Sequence, residues 1–235
     1  MSKKYEKILE DIEKDIFSGK YNETKKLPKE EELVNIYNVS RTTVRKAISV
    51  LVNKGYVYQV QGSGIFIREN GIKGGYLSLE SLKGLTRDYP DKKIETKVLN
   101  LELIEASKDI AEKMKCEEGG LVYYLERVRI VDGVPFSIER TYFNKKLIPY
   151  LSEEIAKKSI YSYIINDLGL TIGFADKVIS ADKLSKLDAD LFGLEENDPN
   201  LVIDGIEFLS TGDVFAVSRS FNNYKVAKLI KLSNF

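Results

Sequence analysis

The stretch LPKEEELVNIYNVSRTTVRKAISVLVNKGYVYQVQGSGIFI, residues 27–67, decides the fold of the first part of this chain. Pro28 suits the first turn of a helix, and Ser40 is a good N-cap for a second one. The apolar residues of this second helix follow the i, i+3, i+4, i+7 spacing of an amphipathic helix, and they are Val44, Ala47, Ile48 and Leu51. The pattern therefore predicts two helices joined by a tight turn.

The end of the same stretch predicts a β-hairpin. Gly55 ends the helical pattern, residues 56–61 alternate as a strand does, and the Gly-Ser-Gly turn at 62–64 leads back into Ile-Phe-Ile at 65–67. Two helices followed by a hairpin form a winged helix-turn-helix.

Two further helical patterns complete this part of the chain. An amphipathic helix is predicted from Tyr5 to Ser18, with Gly19 at its exit. The helix that starts near Pro28 is predicted to bury Leu33 and Ile36.

The polar side of the helix after Ser40 carries guanidinium, ammonium and hydroxyl donors. Such groups read guanine edges and hold phosphates in a DNA major groove. No Asp or Glu occurs between Asn38 and Arg68, so positive charge is concentrated here in a chain of zero net charge. We expect DNA contacts from Ser40, Arg41, Thr42, Thr43, Arg45, Lys46, Gln61 and Gly62. The alternatives are a solvated helix face for the arginines and an ordinary hairpin turn for the glycines.

Composition excludes several classes of protein. The chain has 235 residues and no apolar run near the ~20 residues of a membrane span, and its charged N-terminus does not resemble a secretory signal, so a cytoplasmic location is expected. Cys116 is the only cysteine and histidine is absent. An intrachain disulfide is therefore impossible, and we expect no metal site, no cofactor and no catalytic residues.

The remainder of the chain reads as a second domain. Glycines at 71, 74 and 75 indicate a linker at 70–75, which separates a domain at 1–69 from one at 76–235. The fold class is α+β, with a mostly antiparallel sheet and helices on one side. Helices are predicted at 107–114, 159–169 and 185–192. Strands are predicted at 121–131, 171–181, 201–209, 215–221 and 227–232, and a further strand returns from the turn at 132–133 and ends at Tyr142.

Several segments of the chain resemble the corresponding segments of a known protein family. The DNA-binding head of the GntR family of bacterial repressors is similar to this chain at residues 26–30, 39–47, 55–56 and 62–64. The effector-binding UTRA domain of the HutC subfamily is similar at residues 126–129, 132–135, 138–139, 142 and 159–161. Residues 75–78, 158–164 and 168–170 look most like repressors of trehalose or amino-sugar operons. The resemblance implies a chorismate-lyase-like second domain, a homodimer, and a phosphorylated sugar as effector.

The resemblance also implies particular effector-binding residues. Carried over position by position, they are Ser78, Leu79, Arg127, Arg129, Glu139, Ser159 and Tyr161. The chain departs from the family pattern at Glu31, where relatives often place a DNA-contacting arginine, and at Ala216 and Asn222, where relatives place sugar-contacting side chains.

Spacing alone supports part of this site. Arg127 and Arg129 are two residues apart on one strand, so they project from the same face and could converge on one oxyanion. A surface pair that bridges to carboxylates is the alternative. A two-residue loop at 132–133 would put Glu139 on the face opposite Arg127, whereas a three-residue loop, which Pro135 favours, would set the two side by side. Ser159 could serve only as an N-cap, and Tyr161 could be core.

The sequence therefore predicts a transcription regulator, expected to be a repressor, that binds double-stranded operator DNA and a small-molecule effector as a homodimer. Two other classes compete with this prediction. An enzyme is disfavoured because histidine is absent and no nucleophile constellation is apparent. The other class is a DNA-binding protein whose second domain serves only dimerisation.

Overall fold

The structure is a computed structural model that describes residues 3–68, 76–78, 85, 89 and 92–231. The predicted linker at 70–75 and the predicted site residue Leu79 lie outside the described residues. The chain divides into two compact units, one formed by Met1–Leu82 with Leu229–Phe235 and the other by Lys83–Lys228.

The first unit contains the predicted winged helix-turn-helix. Its helices are α1 (Lys3–Phe17), α2 (Glu30–Tyr37) and α3 (Arg41–Asn53), and its hairpin strands are β1 (Val57–Val60) and β2 (Gly64–Ile67). Ser40 caps α3, because its hydroxyl accepts a hydrogen bond from the Thr43 backbone N–H at 3.2 Å. The backbone of Leu27 donates to Ile65, so residues before α2 extend the hairpin.

One apolar core holds these elements together. It joins α1, α3 and the hairpin through Ile12, Leu51, Val57 and other buried side chains. The predicted burial of Ile36 is wrong, since its side chain is 64% exposed. Only Leu33 of α2 is fully buried, and the helix turns so that Val34 and Tyr37, not Ile36, pack against the core.

The second unit is an α+β fold. Its strands are β4 (Ile94–Glu105), β5 (Leu121–Val131), β6 (Val134–Asn144), β7 (Ile172–Lys183), β8 (Pro199–Leu209) and β9 (Val214–Asn223). Its helices are α4 (Lys108–Met114), α5 (Glu153–Lys157), α6 (Ile160–Ser162), which continues into a π-helical turn at Tyr163–Asp167, and α7 (Lys186–Phe192). The short strand β3 (Leu77–Ser78) pairs in parallel with β10 (Leu229–Ile230), and both strands belong to the first unit.

The six long strands form one antiparallel sheet in the order β4-β5-β6-β9-β8-β7. The expectation of helices on one side is wrong. Leu125 of β5 packs with residues of α5 and α6, whereas Val128 of the same strand packs with α7. Residues 125 and 128 point to opposite faces because side chains alternate along a strand, so helices cover both faces.

Candidate functional site

The face of α3 that the sequence assigns to DNA is exposed. Ser40, Arg41, Thr42, Arg45 and Lys46 are all exposed. Thr43 is half-buried, because its hydroxyl lies 2.9 Å from the Ser40 hydroxyl within the cap. The opposite side of α3 supplies the four predicted core residues, all of them buried. The helix is thus held firmly by the core while its polar side faces solvent.

Two acidic residues of α2 bind the arginines of this face. Arg41 donates to Glu31 at 2.7 Å, and Arg45 donates to Glu30 at 2.8 Å. These ion pairs are not apparent from residues 38–68, because both acids precede that segment. The signal was present, since three glutamates occupy the first turn of α2. Both pairs are solvent-exposed at the arginine, so each contributes only about 0–1 kcal/mol.

The hairpin tip lies at the predicted position. Gln61 and Gly62 are exposed, and Gly62 adopts φ +75°, a conformation that glycine tolerates and most side chains do not. Within α3, the Lys46 ammonium lies 4.1 Å from the centroid of the Tyr5 ring. This cation–π contact orients Lys46 along the exposed face.

On the sheet, Glu139 of β6 stands directly across from Arg127 of β5. Its Oε2 accepts a hydrogen bond from the Arg127 Nε at 2.8 Å, and the Nη2 of the same guanidinium lies 2.7 Å from that oxygen. The turn at 132–133 has two residues, yet the register shifts by one between Arg129 and Ile130, so Phe136 is an extra residue in β6. This bulge produces the side-by-side arrangement that the sequence attributed to a longer loop.

Arg129 lies on the same face as Arg127 and is 4% exposed. Its Nη1 is 3.8 Å from the Glu139 Oε1, so both guanidinium groups converge on one carboxylate. Burial lowers the pKa of Arg129, as does the neighbouring Arg127, while Glu139 opposes the change. Burial alone would raise the pKa of Glu139, but the two arginines outweigh it and hold that pKa below its usual range.

Arg127 also reaches the segment that precedes Ser159. Its Nη1 donates to the carbonyl oxygens of Ala156 at 2.7 Å and Lys158 at 3.3 Å. Ser159 itself caps α6, since its hydroxyl accepts from the Ser162 N–H at 3.3 Å. The structure therefore places Arg127 beside the start of α6 but shows Ser159 acting as a cap.

Tyr161 is half-buried and borders the same charges. Its ring meets Phe215 edge-on at 6.5 Å within the apolar core. Burial raises its pKa, and the negative charges of Glu207 and Glu139 raise it further. The ring of Tyr161 thus packs partly in the apolar core, while the two carboxylates act electrostatically on its hydroxyl.

This face carries a further ion pair that the sequence did not predict. Lys177 of β7 forms an ion pair with Glu207 of β8, whose Oε1 also accepts from the Ser218 hydroxyl at 2.8 Å. Lys177 is 30 residues from Glu207 in sequence, so only the sheet register brings them together. We call Arg127, Arg129, Glu139, Lys177 and Glu207 the charged cluster.

The remaining predicted positions are less informative. Ser78 lies at the end of β3, opposite Ile230. Ala216 is buried in the apolar core, and the Asn222 amide donates to the Leu201 carbonyl at 3.0 Å. No helix in the described part of the chain is long and apolar enough to span a membrane.

A winged helix-turn-helix with an exposed basic helix, followed by a mixed α+β unit, is the organisation of a bacterial transcriptional regulator, and comparison with known families agrees. Residues 4–67 match the bacterial regulatory proteins of the gntR family, and residues 91–225 match the UTRA domain. The chain belongs to the GntR family of regulators that carry a UTRA domain.

Individual relatives cover nearly the whole chain. It is 35% identical over 231 residues to the HTH-type transcriptional regulator YydK of Bacillus subtilis, covering 98% of each chain. The crystal structure of YydK superposes with a TM-score of 0.82 at 33% identity, covering 98% of this chain and 99% of that one. The HTH-type transcriptional regulator TreR of the same organism is 31% identical, covering 92% of this chain and 91% of TreR.

Proposed function

We propose that this regulator is a repressor that binds operator DNA as a homodimer and releases it when a phosphorylated sugar binds beside the charged cluster. The proposed DNA contacts come from α3 and the hairpin tip, namely Ser40, Arg41, Thr42, Thr43, Arg45, Lys46, Gln61 and Gly62. The proposed effector contacts are Ser78, Leu79, Arg127, Arg129, Glu139, Ser159 and Tyr161.

The observation that carries the effector proposal is the convergence of two buried guanidinium groups on a single carboxylate. Among the described residues, the charged cluster has three cationic side chains and two carboxylates. An anion placed beside both arginines would be stabilised by two guanidinium groups in a position with little surrounding water. A phosphate monoester suits such a position because its oxygens accept several hydrogen bonds from guanidinium groups.

A non-sugar anion is the second candidate for the effector. The histidine utilization repressor of Klebsiella aerogenes, which is 26% identical over 202 residues, is named for the metabolism of an amino acid and not of a sugar. A carboxylate could occupy the same arginines as a phosphate ester. Parallel tests with sugar phosphates and amino-acid metabolites distinguish the two candidates.

The homodimer proposal is supported by the surface of β7. This strand pairs with β8 alone among the described strands, so its other edge is available for pairing. It also exposes large apolar side chains, with Phe174 55% and Val178 66% exposed. An open strand edge with apolar side chains favours association with a second copy. A two-fold dimer also matches the pseudo-palindromic sites that paired helix-turn-helix units bind.

Thermal-shift screening of the full-length protein against sugar phosphates, amino-acid metabolites and inorganic phosphate tests the effector proposal. A ligand present at ~100 times its dissociation constant should stabilise the fold by roughly 2.7 kcal/mol. A sugar phosphate that raises the melting temperature of wild type but not of Arg129→Met supports the site. If only a non-phosphorylated metabolite stabilises the protein, the phosphosugar proposal is wrong.

A further inference from the structure

Only one of the two carboxylate oxygens of Glu207 has a hydrogen-bond donor among the described residues. The side chain is 4% exposed, and its Oε1 binds both Lys177 and the Ser218 hydroxyl. Its Oε2 is buried and has no hydrogen-bond partner among the described residues. A buried carboxylate oxygen without a donor is costly, so native proteins rarely leave one in that condition without a role.

The surrounding sheet is shaped to hold this carboxylate in place. Gly205 lies between Lys177 and Ser218 in the ladder, on the same face as Glu207. A Cβ at position 205 would lie 2.7 Å from the Ser218 Oγ and 2.8 Å from the Glu207 Oε1, closer than real Cβ atoms approach such groups. The glycine therefore makes room for a group of three side chains drawn from three adjacent strands.

Glu207 also faces the proposed effector site. Glu139 stands opposite Ser220, which shares a face of the sheet with Ser218, Gly205 and Glu207. Lys177 stands opposite Gly205, so its ion pair with Glu207 lies on the same face as the pair between Arg127 and Glu139. A ligand anchored by the two arginines can therefore extend along this face towards Glu207.

We propose that the Glu207 Oε2 is the acceptor for a hydroxyl or amino group of the effector. The proposal rests on the proposed function and narrows it. Lys177 already supplies one positive charge to the Oε1 side, and a carboxylate repels a second anion. The effector class is therefore a molecule with an anionic group at the arginines and a neutral or cationic hydrogen-bond donor at the other end. A polyhydroxylated phosphate ester fits this description, whereas an alkyl phosphate does not.

The test compares ligands as well as variants. The hexose 6-phosphate with the largest thermal shift, and its series of monodeoxy analogues, are titrated into full-length wild type and Glu207→Gln by calorimetry. We expect at least one deoxy analogue to bind wild type tenfold or more weakly than its parent. In Glu207→Gln that ratio should fall to about threefold or less, because the charge-assisted bond is lost. A purely structural role for Glu207 would weaken parent and analogue equally.

A second variant controls for a folding defect in Glu207→Gln. Glu207→Gln leaves the half-buried Lys177 beside a neutral amide, whereas Lys177→Met/Glu207→Leu removes both charges at similar volume and should fold. The double variant should also lose the discrimination between parent and deoxy analogues.

Two outcomes overturn the inference in distinguishable ways. If wild type binds the parent sugar phosphate but every deoxy analogue keeps its relative affinity in the variants, Glu207 is not a ligand contact and the proposed function stands. If no sugar phosphate binds wild type, both the inference and the phosphosugar proposal fail.

Discussion

Glu139 lies directly opposite Arg127 on adjacent antiparallel strands, and its Oε2 lies 2.8 Å from the Nε and 2.7 Å from the Nη2 of that guanidinium. In this structure Glu139 is the anion on which Arg127 and Arg129 converge. An incoming phosphate must therefore share the arginines with this carboxylate or displace it.

The same pair predicts a pH dependence of stability. The pKa of Glu139 is held below the ordinary value of 4.5 in the folded protein. Its contribution to stability is therefore fully present above pH 4.5 and is lost as the pH falls through the lower, folded-state pKa. Glu139→Gln should cost about 3 kcal/mol at pH 7, because it removes the carboxylate that pairs with the buried guanidinium of Arg127.

Urea unfolding of both proteins between pH 7 and pH 3 checks this prediction. The difference between wild type and Glu139→Gln should shrink at the acid end. Glu118→Gln, an exposed position in the same unit, serves as the control and should change little at any pH. A difference that stays constant over the whole range would show that Glu139 does not titrate as described.

Arg45→Ala should abolish operator discrimination. A bidentate arginine contributes roughly 1 to 3 kcal/mol against the wrong base, which exceeds the value of about 0–1 kcal/mol for the exposed pair with Glu30. Arg45 can therefore leave Glu30 and contact a base at a small cost in free energy. The check is binding to operator and to unrelated duplex at fixed salt. An equal loss of affinity for both would mark Arg45 as a phosphate contact.

Glu31→Gln should strengthen DNA binding. The substitution releases Arg41 from its exposed ion pair and removes a negative charge beside the phosphates, a gain of up to about 1 kcal/mol or roughly fivefold. If Arg41 then neutralises one more phosphate, the slope of log affinity against log salt should steepen by about 0.9. Glu23→Gln, an exposed acid elsewhere in this unit, is the matched control. An unchanged affinity and slope would place Arg41 away from the DNA.

Val178→Asp should dissociate the proposed homodimer. The side chain is 66% exposed on β7, so the substitution should leave the fold of each subunit intact while adding a like-charge repulsion at the two-fold contact. Leu187→Asp, at an apolar position of α7 that is 76% exposed, is the control and should remain dimeric. Sedimentation velocity at micromolar concentration separates the outcomes. A Val178→Asp protein that sediments as a dimer would place the interface elsewhere.

The elements that sequence predicted well are those with local signals. Strand β5 has the predicted bounds at 121–131, and Ser107, Ser159 and Ser185 cap helices because each cap is decided within three residues. Strand β4 was missed, because it is a half-exposed edge strand whose apolar residues do not alternate cleanly. The five-residue helix α5 was too short to show a period.

The parts of the site that sequence could not predict depend on register and on tertiary packing. The bulge at Phe136 decides which face Glu139 occupies, and a one-residue shift would have turned it away from Arg127. The contact between Lys177 and Glu207 similarly requires β7 to pair with β8 in one register. The pairs between α2 and α3 arise from helix packing over 10 and 15 residues of sequence.

The central claim is that effector binding and operator binding oppose each other. By linkage, a sugar phosphate that weakens operator affinity by some factor must itself be weakened by DNA by the same factor, typically about 5- to 150-fold. Arg127→Ala should bind the effector poorly and so fail to release DNA. Because this variant also removes the partner of Glu139, its folding must be verified by circular dichroism before binding is compared.

The most direct test is operator binding by wild type and by Arg127→Ala, each titrated with the sugar phosphate that gives the largest thermal shift. We predict that wild type releases the operator as the ligand is added, while the folded variant remains bound over the same range. If wild type and variant release the operator at the same ligand concentration, the assignment of Arg127 to the effector site is contradicted.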